Sequence, residues 1–216
     1  MSRQNKKENV VAVHKESIMS AAEKLFLEKG VSATTIDDIS KLSDYSRRTI
    51  YTYFESKEGI LYHIVVKGLN ELKDNIAQGI ANNTSFLEQY FSICTAMKNY
   101  HAGTPQAFTS VNQANIKDID FSSIPPVVMQ IFTLGTEINA AIGDFIEKGK
   151  QAGVVKANIQ TMKTVYILWS SISSLFSLVQ SKGVFLEKEF NTTETEFLQY
   201  GYKQIINSIL EERIYE

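Results

Sequence analysis

Within residues 45–57 three basic side chains stand against one acidic, in a chain whose formal net charge is −2. Arg47 and Arg48 are adjacent, Tyr51, Tyr53 and Phe54 follow closely, and Lys57 comes just after. A guanidinium fork bonds bidentately to guanine O6 and N7, a pairing worth roughly 1–3 kcal/mol of discrimination, and that suits Arg47 and Arg48. A threonine methyl can meet the thymine methyl, which suits Thr52. Hydroxyl and ammonium groups suit phosphate oxygens, and Thr49, Tyr51, Tyr53 and Lys57 supply them. The chemistry open to this stretch is recognition of duplex nucleic acid.

Such groups read bases only if an element holds them outward. From Ser17 to Lys29 the apolar residues Ile18, Ala21, Ala22, Leu25 and Phe26 recur at the spacing of one helical face, and Gly30 is the natural left-handed stop. Thr34 or Thr35 then caps a short second helix, with Asp37 or Asp38 three residues on as the acidic half of a capping box. Its inward residues are Ile36, Ile39 and Leu42. In the turn that follows, Asp44 tolerates a left-handed backbone, less readily than glycine would. Ser46 caps a third helix, "RRTIYTYF", whose inner face carries Ile50 and Phe54. Ser56 recaps a longer helix running on Leu61, Val65, Leu69, Leu72, Ile76 and Ile80. Two short helices joined by a tight turn form the helix-turn-helix unit, whose second helix enters the major groove by its N-terminal residues.

The segments "AAEKLFLEKG", "TTIDDIS" and "SRRTIYTYFESKEGIL", with their mutual spacing, make residues 17–61 resemble the DNA-binding domain of the TetR family of bacterial transcriptional regulators. Beyond them only the helix count and a "GKQAGVV" turn agree with the family. The resemblance implies a homodimer whose first three helices bind half of an inverted-repeat DNA operator, and a small-molecule effector that releases it. By position in that pattern Arg47, Arg48 and Thr52 would read bases, Tyr51 would touch base or phosphate, and Thr49, Tyr53 and Lys57 would hold the backbone. Thr35 and Tyr45 complete the candidate DNA-binding set. Where the family commonly has Gly then Val in the turn, this chain has Asp44 and Tyr45, so Tyr45 either reaches the duplex or packs.

The rest of the chain reads as all-α, in long segments bounded by Asn, Gly or Pro, with a short helix and a loop within 102–124. The expected division is a helix-turn-helix domain over residues 1–55, with 1–14 a flexible tail, and a helical ligand-binding and dimerisation domain over 56–216. Residues 164–181 carry no charge, a length that can span a membrane. Eight of them are Thr, Ser or Gln, which favours a helix buried on most of its sides and a cytoplasmic protein without a membrane partner. In this helix Val165, Trp169, Ile172, Phe176 and Val179 form an apolar face. Ser170, Ser174, Ser177 and Ser181 line another side, where small residues permit close helix approach and so a dimer interface. A ligand pocket among the middle helices would be lined by Phe91, Met97, Tyr100, Phe108, Met129, Phe132, Tyr166 and Trp169, and the paucity of charge there suits an apolar or weakly polar effector.

Catalysis finds no support. His14, His63 and His101 lie far apart without acidic or cysteine partners at ligand spacing, so neither a metal nor another cofactor is expected. The glycines form no phosphate-binding run, and no Ser-His-Asp arrangement emerges. The single cysteine, Cys94, lies in an apolar run and reads as an inert buried thiol. The leading expectation is a ligand-released repressor. The alternative is a DNA-binding protein of the same fold that acts through protein partners, in nucleoid organisation or cell division.

Overall fold

Helical periodicity carries nearly all of the described chain into helices. The computed structural model describes residues 3–112 and 123–212, in which nine helices run in order. They are α1 (Arg3–Ala33), α2 (Ile36–Ser43), α3 (Arg47–Tyr53), α4 (Lys57–Asn82), α5 (Phe86–Gly103), α6 (Pro105–Asn112), α7 (Pro126–Gln151), α8 (Thr161–Phe190) and α9 (Glu194–Asn207). Among the described residues the only β-type pairing is an isolated bridge between Val155 and Leu210. The fold is all-α.

Two compact units divide the chain, one formed by Met1–Asn70 with Ala102–Phe132, the other by Glu71–His101 with Thr133–Glu216. The first therefore reaches past the boundary read at residue 55/56 and takes in α6. Residues 3–14, read as a flexible tail, are the opening turns of α1.

In the first unit, Ile18, Ala22 and Phe26 of α1 are buried with Ile39 of α2, Ile50 of α3 and Phe54. Ile60, Leu61, Ile64 and Val65 of α4, and Ala107 and Phe108 of α6, complete that core. Each fully buried side chain of this size contributes about 1.5–3 kcal/mol over its exposed state. Local chemistry places the breaks. Gly30 takes φ 80° and ψ 160°, a conformation open essentially to glycine alone, and ends the regular part of α1. The Thr34 hydroxyl donates to the freed Gly30 carbonyl at 2.8 Å. Thr35 and Asp38 form a reciprocal capping box on α2. Asp44 closes α2 in the left-handed region at φ 59°. The Ser46 hydroxyl accepts from the Thr49 amide at 3.1 Å to start α3, and the Ser56 hydroxyl accepts from the Gly59 amide at 3.0 Å to start α4. Leu42 departs from expectation and is exposed. The inward line of α2 runs from Ile39 to Ser43, four residues apart, and leaves Leu42 at its edge.

In the second unit, Leu72 and Ile76 of α4 are buried with Tyr90, Ile93, Cys94 and Met97 of α5. Ile138, Ile142 and Ile146 of α7, Leu168, Ile172 and Phe176 of α8, and Leu198, Tyr202 and Ile206 of α9 are buried as well. Phe86 stacks on Phe145 with ring centroids 4.3 Å apart. Asn191, in the left-handed region at φ 48°, and a Thr193–Glu196 capping box turn α8 back into α9. A Cβ at Gly201 would stand 2.6 Å from Leu175 Cδ1, so glycine lets the two helices close on each other there. The Tyr90 hydroxyl donates to the Tyr202 carbonyl at 3.0 Å and ties α5 to α9.

Helix α8 is long and apolar enough to cross a membrane by length and composition. Only 39 % of its most apolar stretch is buried, so it is not covered on most of its sides as expected. One face, Val165 to Val179, is interior. The other carries exposed Tyr166, Ile167, Val184 and Phe185.

Candidate nucleic-acid interface

The candidate reading element is α3, seven residues long and too short to hold itself together. What fixes it is the buried pair Ile50 and Phe54 beneath and the Ser46 cap in front. That arrangement leaves Arg47, Arg48, Tyr51 and Thr52 exposed on its outer side. Arg47 Nε donates to Asp37 Oδ1 of α2 at 2.7 Å, an ion pair whose arginine side chain remains 66 % exposed. Exposed pairs of this kind hold weakly and exchange readily for another anion or a base edge. Arg48 is exposed beside it, and its carbonyl accepts from the Thr52 hydroxyl at 3.0 Å. Two outward guanidinium groups at the start of a clamped helix have the chemistry that guanine recognition requires.

The remaining candidates are drawn into the domain's own bonding. Thr49 shares its hydroxyl with that of Ser46 at 2.9 Å. Thr35, assigned to the DNA-binding set, gives its hydroxyl to Asp38 at 2.7 Å and serves as the α2 cap. Lys29 reaches the same carboxylate oxygen at 2.7 Å. The Asp38 carboxyl is held well below the usual range, first by that lysine and then by Thr35. Tyr53, expected to be exposed, is half-buried, and its hydroxyl is hydrogen-bonded to His14 Nδ1 at 2.9 Å. Tyr45 packs its ring against the same imidazole at 4.9 Å, which answers the packing half of the alternative left by the sequence. His14 is thus the residue sequence reasoning missed. It lies four before buried Ile18 on the same helical face, a spacing that pointed inward.

Lys57 departs furthest from its expected role. Its ammonium donates to the carbonyls of Val31 at 2.7 Å, Ser32 at 3.1 Å and Thr34 at 2.8 Å. An ammonium has three donors, and all three are engaged within the protein, leaving none directed to phosphate. The physical reason lies at the end of α1, where helix-terminal carbonyls lack intrahelical partners and attract a cation.

The expected effector-pocket residues are divided between the two units. Phe108, Met129 and Phe132 belong to the first unit, and the other five to the second. Met129 and Tyr166 are exposed, and Phe91 is half-buried. Met97 and Trp169 do meet, with Tyr90 and Ile142, around an apolar void of about 10 Å³ in the second unit. That is at or below the space one water needs, so the interior there is closed. In the first unit a cleft of about 120 Å³ is lined by Phe26, Leu61, Ile64 and Pro105. Ordinary ligand pockets begin at about 300 Å³. The expected interface serines Ser170, Ser174, Ser177 and Ser181 are all exposed on α8, the last two bonding back to the carbonyls of Ser173 and Ser177.

Residues 18–64 match the family model of the bacterial regulatory proteins of the tetR family. The chain is 28 % identical over 142 residues to the uncharacterized HTH-type transcriptional regulator YhgD of Bacillus subtilis, covering 66 % of this chain and 72 % of that one. It is 27 % identical over 124 residues to IcaR of Staphylococcus aureus, the negative transcriptional regulator of the biofilm operon icaADBC, covering 50 % and 64 %. The solved structure of FadR from Bacillus subtilis in complex with stearoyl-CoA superposes with a TM-score of 0.68 at 15 % identity, covering 90 % of this chain and 98 % of that one. That last likeness is one of fold. Together with the clamped α3 and its outward arginines, the match identifies residues 18–64 as a helix-turn-helix domain of the kind found in bacterial regulatory proteins of the tetR family.

Proposed function

We propose that this regulator is a repressor that binds an inverted-repeat operator as a homodimer in the cytoplasm and leaves it when a small molecule binds. One observation carries the reading. Arg47 and Arg48 stand exposed at the start of a helix whose other side is locked into a core by Ile50 and Phe54. A single short reader with few phosphate contacts binds weakly at cellular salt, and pairing two copies raises affinity through effective concentration. The outward side of α8 supports the pairing. Ile167, Ser170, Ser174, Ser177, Ser181 and Val184 recur there at alternating spacings of three and four, which makes a narrow seam of mostly small residues.

Release would act through α4, whose first residues to Asn70 belong to one unit and whose remainder belongs to the other. An effector that favours one setting of this helix changes the separation of the two readers, which must be about 34–36 Å to meet successive major grooves. Coupling of about 1–3 kcal/mol gives about 5–150-fold regulation. Stearoyl-CoA in the Bacillus subtilis fold neighbour supports a small molecule as the effector class. The paucity of charge among the middle helices favours an apolar or weakly polar one.

Genomic footprinting tests the reading. One or a few inverted repeats beside promoters, protected by the wild-type chain, are the expected result. A second reading follows from the closed interior of the second unit: the same fold acting through protein partners, in nucleoid organisation or cell division. Dispersed sites across the genome would favour that reading over the first.

A further inference from the structure

We infer that Lys57 is a positioning residue of the DNA reader, an ammonium clasp that ties the chain entering the helix-turn-helix to the chain leaving it. The inference rests on the DNA-binding reading above and departs from the phosphate contact that the family pattern implies at this position. The reader occupies the chain between Thr34 and Phe54, bounded by the end of α1 on one side and the start of α4 on the other. Lys57 opens α4, and its three donors reach Val31 and Ser32 at the end of α1 and Thr34 just before the α2 cap. One side chain therefore closes the segment that holds α2 and α3 into a loop.

Neighbouring bonds show what the clasp secures. Past the Gly30 break the last turn of α1 presents carbonyls that no helix continues to satisfy. The Thr34 hydroxyl takes Leu25 and Gly30, and Lys57 takes Val31, Ser32 and Thr34 itself. If the ammonium withdraws, Val31 keeps only the Thr34 amide at 3.3 Å, and Ser32 and Thr34 lose the donor that Lys57 supplies. Turning Lys57 toward a phosphate would take the ammonium from three carbonyls at once, leave Val31 with its longer amide bond alone, and free the entry to α2. The same bonds fix the α2 cap, and with it Asp37, which pairs with Arg47 of the reader. Clasp and base-reading group lie on one short path of bonds.

The two roles separate in how affinity depends on salt and on sequence. A phosphate contact adds about 0.9 to the slope of log affinity against log salt and strengthens every sequence alike. A clasp adds nothing to the slope and acts on discrimination, because a loosened reader still meets phosphates but presents its arginines out of register. The experiment uses full-length wild type, Lys57→Met, which keeps the stem without donors, and Lys57→Gln, which keeps two. Each is titrated over a range of salt with the duplex that wild type enriches from a randomised pool and with a scrambled duplex of equal length. The expected result for Lys57→Met is a roughly tenfold or greater loss in the enriched-to-scrambled affinity ratio, with scrambled-duplex affinity and both slopes kept, and part of the ratio restored in Lys57→Gln. Equal weakening on both duplexes with a slope reduced by about 0.9 per reader overturns the clasp. So does an unchanged ratio accompanied only by a lower unfolding midpoint, since that is a plain stability effect. Hydrogen exchange of the DNA-free proteins keeps the clasp testable on its own. Faster exchange confined to α2 and α3 in Lys57→Met supports it, and unchanged exchange there refutes it even if wild type enriches no duplex.

Discussion

His63 stands edge-on to the Phe54 ring at 5.3 Å, directly behind the reading helix. Lost hydration, and then the nearby Lys15, push its pKa below the ordinary histidine value of 6.5. The sign follows from which state binds the proton better. A histidine with a depressed folded pKa stabilises the fold above its unfolded value, and that stability is lost as pH falls through the folded one. Thermal melts from about pH 7 down to about pH 5 should therefore show the wild type losing more stability than His63→Phe, which keeps the ring contact without the titration. Equal losses would remove His63 from the account. Cys94, fully buried, has its thiol pushed up to about 12 by burial. Iodoacetamide should leave it unmodified in the folded chain at mildly alkaline pH and label it once denaturant is added; prompt labelling of the native protein would contradict that burial. The burial of Cys94 was legible from the apolar run around it, and the outward position of Arg47 and Arg48 from their place at a capped helix start. Lys57 was not. A lysine at the start of a helix reads the same in sequence whether it faces phosphate or carbonyl, and the three carbonyls it meets lie more than twenty residues away. His14 escaped for a related reason, since its partners Tyr45, in the turn before α3, and Tyr53, at the end of α3, are distant in sequence.

At the level of elements, what local chemistry decides could be read and what packing decides could not. The α2 cap at Thr35, the left-handed Asp44 and the starts at Ser46 and Ser56 each depend on residues within four positions, and each lies where the sequence indicated. The faces of α2 and α8 depend on what other helices cover. There Leu42 turned outward and α8 kept an uncovered side. Close helix packing also leaves a sequence trace too weak to read beforehand. A Cβ on Gly149 of α7 would come within 2.7 Å of Val155 Cγ2 and 2.5 Å of the Phe86 ring, which is itself stacked on Phe145. The ring has little room to retreat. Gly149→Ala should cost about 1–3 kcal/mol in chemical unfolding, as overpacking of a filled site does, despite the better helix propensity of alanine. A neutral or stabilising result would mean that Phe86 moves freely.

For the whole molecule, the division into units was the least legible feature. Helix α4 passes from one unit to the other without a break, and α6 belongs to the first unit again although α5 lies almost wholly in the second. No composition shift or linker marks either crossing, because continuity of a helix and return of a distant segment are both decided by tertiary packing. The proposed twofold pairing is tested at this scale. Ser174→Glu places a charge in the middle of the small-residue seam on α8, where Ser174 is exposed in the single chain. Sedimentation should show a folded monomer for that variant against a dimer for wild type, because a like charge would face itself across the twofold axis. A wild-type monomer, or a variant that still dimerises with wild-type affinity, would move the interface elsewhere. The central claim remains the presentation of two arginines to base edges, and a mobility-shift titration tests it most directly. On the duplex that wild type enriches, Arg47→Ala with Arg48→Ala should lose about 30-fold or more in affinity per half-site while keeping the wild-type melting curve. A folded double variant that binds this duplex as tightly as wild type would contradict the account.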